Sequence, residues 1–138
     1  MSKVLVVYCL LYDDKDNRVL MVYNKDTESW SLPGGVVEDT ETLEQAVLRE
    51  VHEETDLMVE IKDLVAVNEY IFPDNRQHTV LFTFRGEIVG GDISVKRPDE
   101  VSDIVWMDIS RADELMPYYR SGISKLIQNS ADYINQCK

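Results

Sequence analysis

Three glutamates stand within five positions of one another in Leu48-Arg49-Glu50-Val51-His52-Glu53-Glu54, near the end of a segment with helical spacing. Residues three and four apart share a helical face, so Glu50 faces both Glu53 and Glu54. Their charges repel, and the negative end of the helix macrodipole adds to the repulsion. A bound cation would reverse that balance. Oxygen-rich carboxylate clusters suit hard divalent ions such as magnesium or manganese, and magnesium usually takes substrate phosphates into its coordination shell. The chemistry indicated is a metal-assisted reaction at a phosphate.

The helix must begin soon after Trp30-Ser31-Leu32-Pro33-Gly34-Gly35, whose Pro and paired Gly permit a tight, open backbone. Thr40 is read as the N-cap and Glu41 as a complement to the positive helix end. Leu43, Ala46, Val47 and Val51 then repeat as a core-facing stripe. At ~100° per residue, Glu50 and Glu54 fall within about 40° of Leu43, on the face that should be apolar. Solvated glutamates would lie opposite, with Gln45 and His52. The exception points to a site rather than a surface.

Written as a spacing, the segment is Gly35, five residues, Glu41, seven residues, Arg49-Glu50-Val51-His52-Glu53-Glu54-Thr55-Asp56-Leu57. This resembles the Nudix box: Gly, five residues, Glu, seven residues, Arg-Glu, an aliphatic, any residue, Glu-Glu, any residue, Gly, an aliphatic. Every specified position matches except the second Gly, where this chain has Asp56. Such a match arises by chance on the order of 10⁻⁸ per window at average residue usage. Trp30 to Gly34 and Glu100 to Trp106 also resemble the family's usual surroundings of the box. The family's glycine ends the helix with positive φ, and Asp is among the few other residues that tolerate that region. The expected consequence is ~1 kcal/mol of lost stability or a shifted helix end, which would alter the aim of Glu53 and Glu54 without abolishing the site.

The resemblance implies a Nudix fold, an α/β (α+β) structure with an α/β/α sandwich around a mixed β-sheet, as one domain over residues 1–138. It also implies hydrolysis of a pyrophosphate bond in a nucleoside diphosphate derivative or a nucleoside triphosphate by a metal-activated water. The residues make independent sense of this. A diphosphate's negative oxygens repel a nucleophile, and bridging metals neutralise them and lower the pKa of bound water. Glu50, Glu53 and Glu54 are the expected ligands of Mg2+ or Mn2+. The Gly35 carbonyl would add an oxygen, since glycine lets backbone approach closely. Arg49 is expected to orient the carboxylates, partly through its i,i+4 relation to Glu53, and Glu41 to support the helix start. In different branches of the family the general base comes from the box or from a later carboxylate, so Glu50 and Glu100 are both candidates. His52 projects away from the acidic face, and His78 opens a strand from which it could touch substrate.

Around this centre, Val4 to Tyr12 and Arg18 to Tyr23 read as a hairpin across Asp13 to Asn17. That acidic loop fails as an EF-hand: counted from Asp14, the places that need Gly and Glu hold Val19 and Lys25. Met58 to Phe72 and Gln77 to Val89 read as long strands joined at Pro73-Asp74-Asn75, and Val101 to Met107 as another. Ser110 is read as the cap of a short helix ending near Pro117. Ile123, Leu126, Ile127, Ala131 and Ile134 suggest a last helix. Hairpins, one central helix and C-terminal helices together imply a sandwich around a mixed sheet.

A chain of 138 residues, 44% of them apolar, fits one globular domain. Its 14 basic and 26 acidic residues give a formal charge of -12, which disfavours general adhesion to nucleic acid or anionic membrane. A polyphosphate would need metal neutralisation. The run Val4 to Leu11 lacks a small-residue cleavage site and is followed by Asp13 and Asp14, so it reads as a strand rather than a leader. No apolar stretch reaches the roughly 20 residues of a membrane helix. Cys9 and Cys137 make neither a metal spacing nor a disulfide framework, and the cytoplasm is the expected compartment.

Substrate choice in such a fold rests outside the box. Trp30, Tyr70, Phe72 and Phe82 could stack on a base, although core packing is the ordinary use of strand aromatics. Pro73, sixteen residues beyond Leu57, resembles a marker of ADP-ribose-hydrolysing branches, and no NADH-type or coenzyme-A-type accessory motif is present. A small-molecule nucleotide is expected, either an oxidised or surplus triphosphate or a sugar-linked diphosphate. The alternative is a Nudix-fold module that senses a nucleotide without turnover. The intact Glu50, Glu53 and Glu54 set and the absence of an added DNA-binding segment favour the enzyme. Because the family often dimerises, the resemblance also allows a homodimer.

Overall fold

The apolar run near the start of the chain forms β1 (Ser2–Leu10), and in the computed structural model, which describes residues 1–138, both faces of its second half are covered. Val7 and Cys9 enter one core with Leu11, Leu20 and Phe84, while Leu10 enters another with Val19, Met21 and Leu32. A strand buried on both faces reads as a continuous apolar run, without alternation. There follow β2 (Tyr12–Asp13), β3 (Arg18–Asn24), β4 (Ser29–Ser31), β5 (Gly34–Val36), α1 (Leu43–Thr55), β6 (Met58–Ile71), β7 (Gln77–Gly90), β8 (Val101–Asp108), α2 (Ile109–Leu115) and α3 (Ile123–Gln128).

These strands build two sheets. The first is mixed, in the order β5-β1-β7-β6, with β1 parallel to β7 from Ser2↔Gln77 to Leu10↔Arg85 and the other pairs antiparallel. In the second, β3 pairs antiparallel with β2, β4 and β8. Helix α1 packs Ala46, Val47 and Val51 into the core that holds Val7 and Cys9. Helices α2 and α3 give Ile109, Ala112, Ile123 and Leu126 to the other core. This is the expected sandwich of helices around a mixed sheet, with a second, antiparallel sheet beside it. No helix is long and apolar enough to cross a membrane.

Four local expectations need correction. The hairpin of Val4–Tyr12 with Arg18–Tyr23 is confined to two pairs, Tyr12↔Val19 and Asp13↔Arg18, because the chain changes sheets at Leu11 and β1 pairs with β5 and β7. Thr42, not Thr40, caps α1. Its hydroxyl accepts from the Gln45 N–H at 3.1 Å and the Gln45 side chain accepts from the Thr42 N–H at 2.9 Å, a reciprocal capping box. Helix α2 is capped by Asp108, which accepts from the Arg111 N–H at 2.9 Å, while Ser110 only donates its hydroxyl to that carboxylate.

The fourth concerns α3, which ends at Gln128 although apolar spacing continues to Ile134. Arg85, on β7, donates to the carbonyls of Ile127 and Asn129, and Ala131 bridges backbone to backbone with Leu64. Those partners satisfy groups that another helical turn would have satisfied. Ile134 is left exposed. For the start of α1, Thr42→Ala is expected to lower unfolding free energy by about 1 kcal/mol and Thr40→Ala by almost nothing, measured by urea denaturation. Equal losses would contradict the cap assigned here.

Candidate active site

Strand β5 is held to β1 by the pairs Val6↔Val36, Val7↔Gly35 and Tyr8↔Gly34. Each of its glycines makes room for a neighbour. A Cβ on Gly34 would overlap the Val7 carbonyl oxygen, and one on Gly35 would stand 2.7 Å from the Glu50 carboxyl. Glycine therefore lets the strand lie on β1 while Glu50 of α1 lies across it. The Gly34 N–H also donates to Glu54 Oε1 at 3.0 Å. Two of the three glutamates thus pack or bond directly against the glycine loop.

Arg49 gathers the rest. Its Nε and Nη2 form a fork on Glu41 at 2.6 and 2.8 Å, and Nη1 reaches Glu50 at 2.9 Å and Glu53 at 3.4 Å. Nη2 also donates to the Val36 carbonyl at 3.1 Å, which joins helix and strand. Hydrogen bonding to Glu41, then to Glu50, raises the guanidinium pKa, and the same bond from Arg49 holds Glu41 below the usual carboxylate range. Glu41 in turn accepts from the Glu38 N–H at 3.0 Å, which ties the approach loop to the helix face.

Burial raises the Glu50 carboxyl above its ordinary pKa despite the opposing pull of Arg49. Glu54 is pushed up to about 8, first by burial; the Gly34 N–H opposes the rise, and the charges of Glu50, Glu100 and Glu53 add to it. Tyr8 on β1 is raised by burial and then by the charge of Glu54. Glu100, in the turn before β8, lines the same cleft as Glu54 while its own side chain stays 63% exposed. Glu53 meets a second cation, Arg97, at 3.3 Å, and Arg97 also reaches Glu100 at 3.6 Å. No three His, Cys, Asp or Glu side chains are gathered tightly enough to cage an ion in this arrangement, with Arg49 bonded to both Glu50 and Glu53. His52 is exposed on the far side of α1, and His78 bonds Glu69 at 2.7 Å, so neither joins the glutamates.

Glu54, Glu100 and the two glycines line a cleft of about 1390 Å³. Of the aromatics singled out from the sequence, Trp30 and Tyr70 line it. Phe72 packs edge-on to Tyr70, and Phe82 packs against the core beneath α1. Pro73 lies in the exposed turn after β6 and takes no part. Tyr8 and Tyr118 also line the cleft and were missed, because tyrosines in apolar or turn segments read as packing. Arg120 is its only cationic side chain, opposite in sign to Asp26, Glu54, Glu69, Asp99 and Glu100. Lys96 and Arg97 were missed too, although they are the only adjacent pair of basic residues in the chain.

A helix bearing Arg49-Glu50 and Glu53-Glu54, laid on a glycine strand inside a mixed-sheet sandwich, defines the Nudix class of fold. The chain belongs to that family: the NUDIX domain profile matches residues 2–129. It is 33% identical over 105 residues to an ADP-ribose pyrophosphatase of Methanocaldococcus jannaschii, covering 74% of this chain and 61% of that protein. The chain therefore spans only about three-fifths of that relative's length. It is 30% identical over 135 residues to an RNA pyrophosphohydrolase of Sphingopyxis alaskensis, covering 83% of this chain and 85% of that one. Among solved structures, a MutT protein from Methanosarcina mazei Go1 matches with a TM-score of 0.74 at 22% identity, over 91% of this chain and 94% of that one, a likeness of fold.

The raised Glu54 carboxyl has a measurable consequence. In the unfolded chain a glutamate titrates near 4.3, roughly its unperturbed value. The folded state therefore keeps its proton longer as pH rises, so the stability this group contributes is full at low pH and lost as pH climbs toward about 8. Glu54→Gln cannot ionise. In metal-free protein its melting temperature is expected to gain on that of the wild type between about pH 5 and pH 8, the window set by the two pKa values. A constant difference across that window would show that Glu54 titrates normally.

Proposed function

We propose that this chain hydrolyses the pyrophosphate bond of a nucleoside diphosphate derivative or a nucleoside triphosphate, using divalent cations held by Glu50, Glu53, Glu54 and the Gly35 carbonyl. The observation that carries this reading is the packing of Glu50 and Glu54 against the glycine strand, where burial pushes both carboxyls toward neutrality. In the chemistry of its atoms, though not in the present spacing of its carboxyls, such a donor set fits a hard dication. It consists of oxygens alone, it is crowded with like charge, and a cation would favour the ionised form that burial disfavours. Magnesium or manganese, when bound, would neutralise diphosphate oxygens and activate the attacking water.

The chain's own residues supply the rest. Arg49 holds Glu50 and Glu53 in fixed directions through one guanidinium. Glu100, which lines the same cleft as Glu54 and is exposed to solvent, is one candidate base, and Glu50 is the other. Trp30 and Tyr118 offer aromatic walls for a base, and Arg120 offers a donor fork. The names of the two relatives, an ADP-ribose pyrophosphatase and an RNA pyrophosphohydrolase, support a pyrophosphate bond next to a nucleoside as the common element.

Either Glu53→Gln or Glu54→Gln is expected to lower turnover by at least ~10²-fold with the circular dichroism spectrum unchanged, because charge stabilisation at the diphosphate is lost. The decisive assay is a panel of ADP-ribose, other nucleoside diphosphate derivatives, nucleoside triphosphates and a 5′-triphosphate RNA oligomer. Each is offered with magnesium or manganese, and products are identified by mass. Near-normal turnover in both variants would refute the assigned roles. Nucleotide binding with no product under any condition would instead establish a sensing module.

A further inference from the structure

The loop between β7 and β8 crosses the C-terminal end of α1 and is fastened there at several points. The Ser94 N–H donates to the Thr55 carbonyl at 3.0 Å. Gly91, at φ +81°, approaches the Asp56 carbonyl so closely that a side chain would not fit. Lys96 Nζ pairs with Asp56 Oδ1 at 3.3 Å, and Arg97 Nη1 with Glu53 Oε2 at 3.3 Å. The chain then closes a turn: the N–H groups of Glu100 and Val101 both donate to the Arg97 carbonyl, at 2.9 and 2.8 Å. Arg97 and Glu100 are consequently parts of one small unit.

Asp56 is where the box departs from its family's glycine. Its φ of 67° and ψ of 7° are left-handed, so the helix turns off as a glycine would allow. What Asp adds is a carboxylate at the helix end, and Lys96 pairs with it. Glu100 itself is exposed, and its one ion pair is to Arg97. Its backbone carbonyl accepts from the Lys25 N–H at 2.9 Å and its neighbour Val101 pairs with Asn24, so the sheet holds one side of the turn, and the other side is held where Arg97 meets α1.

We propose that the Asp56–Lys96 and Glu53–Arg97 ion pairs form a two-point clamp by which α1 fixes the Arg97 side of the turn that presents Glu100 on the cleft wall, which makes Asp56, Lys96 and Arg97 positioning residues for the hydrolysis. The role in hydrolysis rests on the pyrophosphohydrolase reading above; the clamp itself does not. On this account the Asp at the box's glycine position is a functional addition. Its carboxylate compensates, through the loop, for the conformational cost of a non-glycine residue in that backbone.

Asp56→Asn separates charge from backbone, because Asn also tolerates the left-handed region. The pairs are half-exposed and screened by salt, so several-fold effects are expected. Asp56→Asn and Lys96→Ala should each lower kcat about two- to fivefold with KM unchanged, and the double variant should be no worse than either single, as for two halves of one contact. Lys96→Arg should retain wild-type kcat. In about 0.5 M potassium chloride the wild type should fall to the level of Asp56→Asn, since the Debye length there is only a few ångströms. Amide exchange in Ser94 to Val101 should be at least about threefold faster in Asp56→Asn while the rest of α1 is unchanged.

Unchanged exchange in that loop would overturn the clamp. Faster exchange with unchanged kcat would overturn the positioning role, as would additive losses in the double variant. A wild type that shows the exchange difference but turns over no nucleotide would sink the proposed function and leave the clamp standing.

Discussion

Arg49 permits a concentration of charge that the fold would otherwise expel. One guanidinium serves Glu41 through a fork, Glu50 and Glu53 through a shared nitrogen, and the Val36 carbonyl on the facing strand. A lysine could not do this, because its ammonium offers a compact charge without the planar spread of donors. Removing Arg49 would leave several partly buried carboxylates facing one another, and an uncompensated charge away from water is strongly destabilising. Yet one cation does not balance the group. Burial first, and then the remaining like charge, displace Glu50 and Glu54 toward the neutral form. Stability alone would favour fewer acids here, and the dication of the proposed function is what would complete the set.

The aim of those acids depends on a core shared by both halves of the site. Val7 and Cys9 of β1 lie in the same cluster as Ala46, Val47 and Val51 of α1, so the strand that registers the glycines and the helix that carries the glutamates move together. Close-packed interiors transmit displacement with little slack. The three β1–β5 pairs then set Gly34 and Gly35 opposite Glu54 and Glu50. Strand β1 is itself held along its length by β7, in the parallel pairing from Ser2 to Leu10. A small active group on a short strand and one helix thereby gains the rigidity of the whole mixed sheet.

Much of this was legible in the chain because it is local. The spacing from Gly35 to Leu57 and the presence of Glu50 and Glu54 on an apolar stripe are properties of one helix and the loop before it, and they identified the family. The Thr42–Gln45 capping box was equally local, but Thr40 competed with it as a polar residue ahead of the stripe. What escaped was set by distant partners. Cys9, Leu10 and Leu11 are all fully buried or nearly so, and a run without alternation gives no sign that the chain changes sheets there. Arg85 ends α3 from another strand, against the apolar spacing of Ala131 and Ile134. Lys96 and Arg97 carry no signal of their own in the chain, because their partners Asp56 and Glu53 lie about forty residues away on α1.

The charge of the cleft constrains how an anionic ligand can enter. Asp26, Glu54, Glu69, Asp99 and Glu100 face it against Arg120 alone, in a protein of formal charge -12. A bare polyphosphate approaching such a surface is repelled, and the low-dielectric walls of a cleft intensify that field. Under the proposed function, attraction begins once cations reduce the charge of both sides, so the acids proposed to bind the cation would also exclude a phosphate that arrives without one. Trp30 and Tyr118 line the cleft with rings on which, under the same proposal, any base could stack without regard to charge. On that proposal, the site would select first for a cation-bearing phosphate and second for an aromatic attached to it. Discrimination among nucleotides is then left to polar groups such as Asn68 and Arg120 on the same walls, and Asn68 already holds the backbone carbonyl of Tyr118 at 3.1 Å.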